Sequence, residues 1–230
     1  MLAATGVAGK PASYFYDPSV AEWLADLGIT TARNAHEIAQ LQAVITETLR
    51  RGRNGTGVFA LRQQSAGRGF LCSKLAILAP EQTSDAGRIT AVFGPTLFLH
   101  LTRADKVEQA VSLLMARQTG LWHRAPDGSD LERNAPHRTP VYDSDAIRAT
   151  VTDLIARDQD WTDWFAREGI RPVPLTYAEV AAQPQHALRR VLSALGVDPS
   201  HADGIMPGTA RLANATSEAW VARFRSETAT

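Results

Sequence analysis

Thr96-Leu97-Phe98-Leu99-His100-Leu101 runs through Thr102-Arg103-Ala104-Asp105 into Lys106-Val107-Glu108-Gln109-Ala110-Val111-Ser112-Leu113-Leu114. The first six residues are apolar almost throughout, as in a strand covered on both faces. Val107, Ala110, Val111 and Leu114 then fall on one face of a helix from about 105 to 119. A buried strand passing directly into a helix is the building unit of an open α/β sheet. Working outward, Pro18 opens a short helix ending at Gly28, and Asn34 is placed to cap the next one. That helix carries Ile38, Leu41, Ile45 and Leu49 inward and stops at Gly52. Gly57-Val58-Phe59-Ala60-Leu61 reads as a strand, residues 70–78 and 85–93 as helices, and Arg171 to Thr176 as a last short strand. A long helix from Ser144 to about Glu168 turns Ile147, Val151, Leu154, Ile155, Trp161 and Phe165 inward. Helices also cover Gln185 to Leu195 and a C-terminal stretch from near Ser217. Residues 120–142, polar and carrying Pro126, Gly128, Pro136 and Pro140, read as a long loop. The expected fold class is α/β, an open, mostly parallel sheet with helices on both faces. Without repeats or a clear linker, residues 1–230 read as a single domain. Three strands among so much helix suggest a sheet short of a member.

Composition narrows the function. Of 230 residues, 44% are hydrophobic, enough for a sizeable core, and 24 basic residues balance 24 acidic ones. No net charge draws the chain to nucleic acid or an anionic membrane, so any anion site must be local. No window approaches about 18 consecutive apolar residues, so no membrane span is expected. Cys72 is the single cysteine. It reads as a packing residue and fits a reducing, cytoplasmic setting. Met1 to Gly6 reads as the last turn of a helix with no beginning, which suggests a natural start further upstream.

Arg103 sits at the carboxyl end of the strongest strand, where open α/β sheets bind ligands. Ser112 follows nine residues later on the returning helix. Together they can hold a terminal phosphate, Arg by a charged fork and Ser by a hydroxyl. A solvated arginine and a helix-face serine fit the same spacing. Trp122, between Leu121 and His123-Arg124, can stack on a sugar or planar ring, or simply anchor a loop. Other chemistries fail inspection. Gly9-Lys10 mimics a Walker A ending, but Pro11 stands where Ser or Thr is required. No dinucleotide fingerprint, G-x-S-x-G elbow or metal-ligand spacing of the histidines is present.

Read in order, several segments resemble a known family. Thr5-Gly6-Val7-Ala8-Gly9-Lys10-Pro11-Ala12-Ser13-Tyr14-Phe15 is similar to a "TGxxGxPxEYF" turn. Gly57 to Arg62 is similar to a "GVFGxK" strand, and His100 to His123 to an R-x8-S helix with a "QTxxWH" exit. Leu175 to Val180 and Ser217 to Phe224 match an "xYExL" turn and an "S-x-x-W-x-x-R-F/Y" helix. These are features of the bacterial carbohydrate sulfotransferases of the trehalose 2-sulfotransferase and NodH-like type. The resemblance implies a P-loop-like sulfotransferase fold. It also implies transfer of a sulfuryl group from 3′-phosphoadenylyl sulfate (PAPS) to a sugar or glycolipid hydroxyl, without a metal. A homodimer follows by the same analogy. The resemblance assigns the donor's 3′-phosphate to Arg103 and Ser112, and the acceptor to Ser13, Tyr14, Phe15, Trp122 and His123. Three departures stand out. The family's donor loop and first strand would lie upstream of Met1. Ser13 occupies the position of an acidic residue, the family's proposed general base, for which Asp17 or His123 are candidate substitutes. Arg62 occupies the position of the strand lysine. A degenerate member that binds a 3′-phosphonucleotide or sugar without catalysis is the alternative expectation.

Overall fold

A computed structural model describes residues 1–30, 32 and 35–229. A 3-10 turn at Leu2–Thr5 precedes α1 (Val20–Asp26), α2 (Glu37–Arg53), α3 (Ser65–Leu78) and α4 (Asp85–Phe93). Then come β1 (Leu99–Thr102), α5 (Lys106–Thr119), β2 (Leu121–Arg124), β3 (Asp130–Arg133) and α6 (Ser144–Arg167). The chain closes with β4 (Val173–Thr176), α7 (Tyr177–Ala182), α8 (Pro184–Ala194), a 3-10 turn at Pro199–Ala202, and α9 (Ala215–Thr228). The architecture is mixed α/β. β1 pairs with β4, β2 pairs antiparallel with β3, and Ala12 and Leu61 form an isolated parallel bridge. Among the described residues no helix is long and apolar enough to cross a membrane.

The chain divides into two compact units. The first comprises Met1–His100, Trp161–Val173 and Gln185–Ile205. Its main core joins Phe15, Trp23, Leu27, Leu41, Val44, Leu71 and Leu75. Phe15 meets Trp23 edge-on at 4.9 Å, and the Trp23 indole N–H donates to the Asp17 carbonyl. Ser19 caps α1 by accepting from the Glu22 amide. The residue read as the cap of α2, Asn34, lies outside the described residues, and His36 holds the N-cap position without a side-chain bond. The buried stripe of α2 is Leu41, Val44, Thr48 and Gly52, while Ile38 is exposed. Phe59 accounts for the stripe's last member, since a Cβ on Gly52 would meet its ring at 2.5 Å. Asp85 to Phe93 forms α4 as expected, capped by Ser84 and ended at Gly94.

The strand expected at Gly57–Leu61 reduces to the one bridge at Leu61. Its partner segment contains Pro11, which has no N–H to extend a ladder. The segment is held instead by the Lys10 and Ala60 amides, both donating to the Gly52 carbonyl, and by the Arg62 amide donating to Ala12. Gly9, at φ +69, lies against this segment so closely that a Cβ would sit 2.5 Å from the Val58 carbonyl.

The last turns of α6 belong to this unit. The Trp164 indole is buried and donates to Asp85, and the Arg68 guanidinium lies 4.6 Å from the Trp161 ring centre. Cys72 is buried, as expected of a packing residue. Burial pushes its thiol up to about 12, with the Asp85 carboxylate adding to the shift.

The second unit comprises Leu101–Asp160, Pro174–Pro184 and Met206–Thr230. Its core joins Ala110 and Val111 of α5, Ile147 and Leu154 of α6, and Trp220, Val221 and Phe224 of α9. Ile155, expected inward, is exposed. Eight residues at about 100° each put it roughly 80° around the helix from Ile147, whereas Leu154 returns to within about 20°. Asp105 caps α5 by accepting from the Glu108 amide, and Gly120 ends it in the left-handed conformation. A capping box between Asn214 and Ser217 starts α9.

The segment expected to be a long loop, residues 120–142, holds the β2–β3 hairpin. Asp127 and Gly128 make its turn, with Gly128 at φ 89, and the Ala125 amide donates to Ser129. The ladder is interrupted on both sides of His123, so the strands lack the alternation that would mark them in sequence.

Candidate active site

In the second unit, β1 delivers Arg103 to the start of α5, and Ser112 stands two turns along that helix. Both line one cavity of about 560 Å³. The Arg103 guanidinium lies 4.6 Å from the Tyr177 ring centre and donates to Glu108 Oε2 at 2.8 Å. Tyr177 is fixed by the capping box of Thr176 and Glu179 that starts α7. The stack leaves Arg103 only 18% exposed, with its planar fork held in one orientation.

Four further arginines reach the same cavity: Arg124 from β2, Arg133 from β3, Arg211 before α9 and Arg225 within it. Glu108 and Glu218 are the acidic residues of the lining. Two carboxylates behind it offset more of the charge. Asp130 pairs with Arg133 at 2.6 Å and lies 3.9 Å from Arg124, and Asp105 pairs with Arg225. Burial pushes the Asp105 carboxyl up, but hydrogen bonds from the Glu108 amide and Arg225 outweigh it and hold the group below its ordinary value. Among the described residues Arg124 Nε, which is buried, has no hydrogen-bond partner. A cavity with this many guanidinium groups, hydroxyls from Ser112 and Thr216, and an aromatic ring is suited to a phosphate attached to a larger body.

Leu121 and Arg124 border this cavity, while Trp122 and His123 between them are outside its lining. Trp122 Nε1 is buried with no hydrogen-bond partner among the described residues, and His123 Nδ1 lies 2.5 Å from Glu132 across the hairpin.

In the first unit, Ser13 and Arg62 are brought together although 49 residues apart. Ser13 Oγ accepts from Arg62 Nε at 2.8 Å and from Gln64 Nε2 at 3.1 Å. A hydroxyl has two acceptor positions and one proton, so both acceptor positions are filled and the proton remains to donate. A hydroxyl held against the Arg62 guanidinium in this way is a poor base. Tyr14 borders a second cavity, of about 510 Å³, with Lys10, Arg50 and Arg51. Burial raises its phenol above the ordinary value, and Arg51 opposes the shift. Phe15 is 1% exposed within the main core, packed on Trp23 and Phe93, which leaves it no surface for an acceptor.

The chain belongs to the Stf0 sulphotransferase family, whose model matches residues 1–227. Among individual proteins it is similar to trehalose 2-sulfotransferase of Mycobacterium tuberculosis, 32% identical over 237 residues, covering 98% of this chain and 82% of that one. It is also similar to trehalose 2-sulfotransferase of Mycolicibacterium smegmatis, 29% identical over 245 residues and covering 98% and 88%.

Proposed function

We propose that this chain transfers a sulfuryl group from PAPS to a hydroxyl of a carbohydrate or glycolipid on a P-loop-like sulfotransferase scaffold. In this reading Arg103 and Ser112 grip the donor's 3′-phosphate. The observation that carries it is their meeting in one arginine-rich cavity, with Arg103 pre-oriented on Tyr177. The new bond forms between the acceptor oxygen and sulfur. The bond from sulfur to the donor's bridging phosphate oxygen breaks, leaving adenosine 3′,5′-bisphosphate, and the acceptor hydroxyl gives its proton to solvent water. In such in-line transfers positioning and charge stabilisation supply most of the rate.

Ser13 serves as an acceptor-side hydrogen-bond donor, with Arg62 fixing it. The family resemblance also assigns Tyr14, Trp122 and His123 to acceptor binding. The names of the relatives make trehalose the first acceptor to try. A cytoplasmic setting accords with the lone buried Cys72, and a homodimer follows by family analogy. The test is sulfate transfer from labelled PAPS to trehalose and to other sugars, with Arg103→Ala beside the wild type. Transfer lost in Arg103→Ala supports the reading, and transfer retained at full rate refutes it.

A second reading, a binding protein without catalysis, is favoured by the filled acceptor positions of Ser13 at the place of the family's acid. Binding of adenosine 3′,5′-bisphosphate without transfer to any sugar would select it.

A further inference from the structure

Glu108 stands one helical turn before Ser112 on the same face of α5, since residues four apart on a helix lie one above the other. Its Oε2 receives the Arg103 guanidinium at 2.8 Å and lies 3.7 Å from Arg211. All four residues line the same cavity. A carboxylate thus sits between two guanidinium groups beside a serine hydroxyl, which is the arrangement an incoming phosphate oxygen would need. The near balance of charge makes this matter. Of the five arginines of the lining, Arg103 and Arg211 meet Glu108, Arg133 meets Asp130 and Arg225 meets Asp105, so little unpaired positive charge is left for a dianion.

We propose that Glu108 is a placeholder for the phosphate: its carboxylate competes with the bound 3′-phosphate for Arg103 and Arg211, and yields to it on binding. The competition weakens the hold on the bisphosphate product and so favours its release. This rests on the reading that the cavity takes the 3′-phosphate. Glu108 is suited to the exchange. Its side chain is 36% exposed, so it can turn into solvent. Its helical position is secured separately, by its backbone amide donating to Asp105 at 2.9 Å, so the side chain can move without unwinding the helix end. A purely structural Glu108, there to aim Arg103 at the ligand, would give the opposite result on removal.

The experiment is calorimetric titration of adenosine 3′,5′-bisphosphate into the wild type, Glu108→Gln, Glu108→Ala and Arg103→Ala, with thermal melts of each. Removing the competing charge should tighten binding by about two- to fivefold in both Glu108 variants, the scale of a partly exposed ion pair. Product release in single-turnover assays should slow to match. Unchanged or weaker binding in the Glu108 variants, with Arg103→Ala still impaired, overturns the placeholder and leaves the phosphate reading standing. Unchanged binding in Arg103→Ala removes the phosphate reading and the placeholder with it. If Glu108→Gln fails to fold, Glu108→Ala carries the same prediction.

Discussion

Replacing Arg103 tests the site most sharply, because the structure separates its cost to the fold from its cost to binding. Arg103→Ala removes a cation lying 4.6 Å from the Tyr177 ring centre and an ion pair of 2.8 Å to Glu108. The ring contact is worth about 0.5–1 kcal/mol and a partly exposed ion pair at most about 1 kcal/mol. The variant should therefore lose about 1–2 kcal/mol of stability and remain folded. Its effect on binding should be larger. A hydrogen bond to a charged group contributes about 1.5–3 kcal/mol, so affinity for a 3′-phosphate should fall by about tenfold to a hundredfold or more. The ligand pair isolates the contact: adenosine 3′,5′-bisphosphate carries the 3′-phosphate and adenosine 5′-monophosphate does not. Calorimetry should show the wild type preferring the bisphosphate and Arg103→Ala losing most of that preference, with the monophosphate little affected. Arg103→Lys should fall between, since it keeps the charge and loses the planar fork. Equal weakening of both ligands, or of neither, would refute the assignment of Arg103 to that phosphate.

Ser112→Ala should reduce the same ligand preference by about tenfold or more, the scale of one hydrogen bond to a charged group, with no change in melting; isothermal titration decides this. Gly9→Ala should destabilise the chain by about 2 kcal/mol or more, measured by denaturant unfolding, because Gly9 has φ +69 and its Cβ would lie 2.5 Å from a backbone oxygen. The Cys72 thiol, pushed up to about 12 by burial, makes stability fall as pH rises. An unfolded thiol ionises near about 8.5, so this contribution is complete below that pH and is lost towards about 12. Unfolding at pH 7.5 and pH 9.5 should show a steeper loss for the wild type than for Cys72→Ala, and parallel losses would contradict the burial argument.

Much of the fold was legible because it is written locally. Ser84 and Gly94 bracket α4, Asp105 and Gly120 bracket α5, and caps and stops of this kind act within a turn of the chain. The errors came where a distant partner decides. Gly57–Leu61 has strand composition, but the segment beside it carries Pro11 and supports only one bridge. The hairpin within residues 120–142 has four-residue strands and an interrupted register, so no alternation announces it. The same division runs through the site. Arg103 and Ser112 lie nine residues apart on one strand-helix unit, and their spacing could be read directly. Arg124, Arg133, Arg211 and Arg225 reach the cavity from a hairpin, a loop and α9, which no spacing rule connects. Glu108 was one step from legible, since any residue four before Ser112 shares its face.

The charge of the cavity bears on how the site can choose a ligand. A chain with 24 basic and 24 acidic residues has no overall field to gather anions. The cavity's arginines are themselves largely paired, Arg103 and Arg211 with Glu108, Arg225 with Asp105 and Arg133 with Asp130. Attraction at a distance is therefore weak, and under the proposed reading recognition falls to short-range geometry: the Arg103 fork set by Tyr177, and the Ser112 hydroxyl of the same cavity. This has a measurable consequence. A site that worked by excess charge would lose most of its affinity as salt rises, and would take any polyphosphate of sufficient charge. A site that works by an oriented fork should lose less affinity across a tenfold rise in salt than Arg103→Lys loses at constant salt. Competition by adenosine triphosphate at high and low salt compares the two effects directly. A steep salt slope with no preference for the 3′-phosphate would show that charge alone governs the cavity.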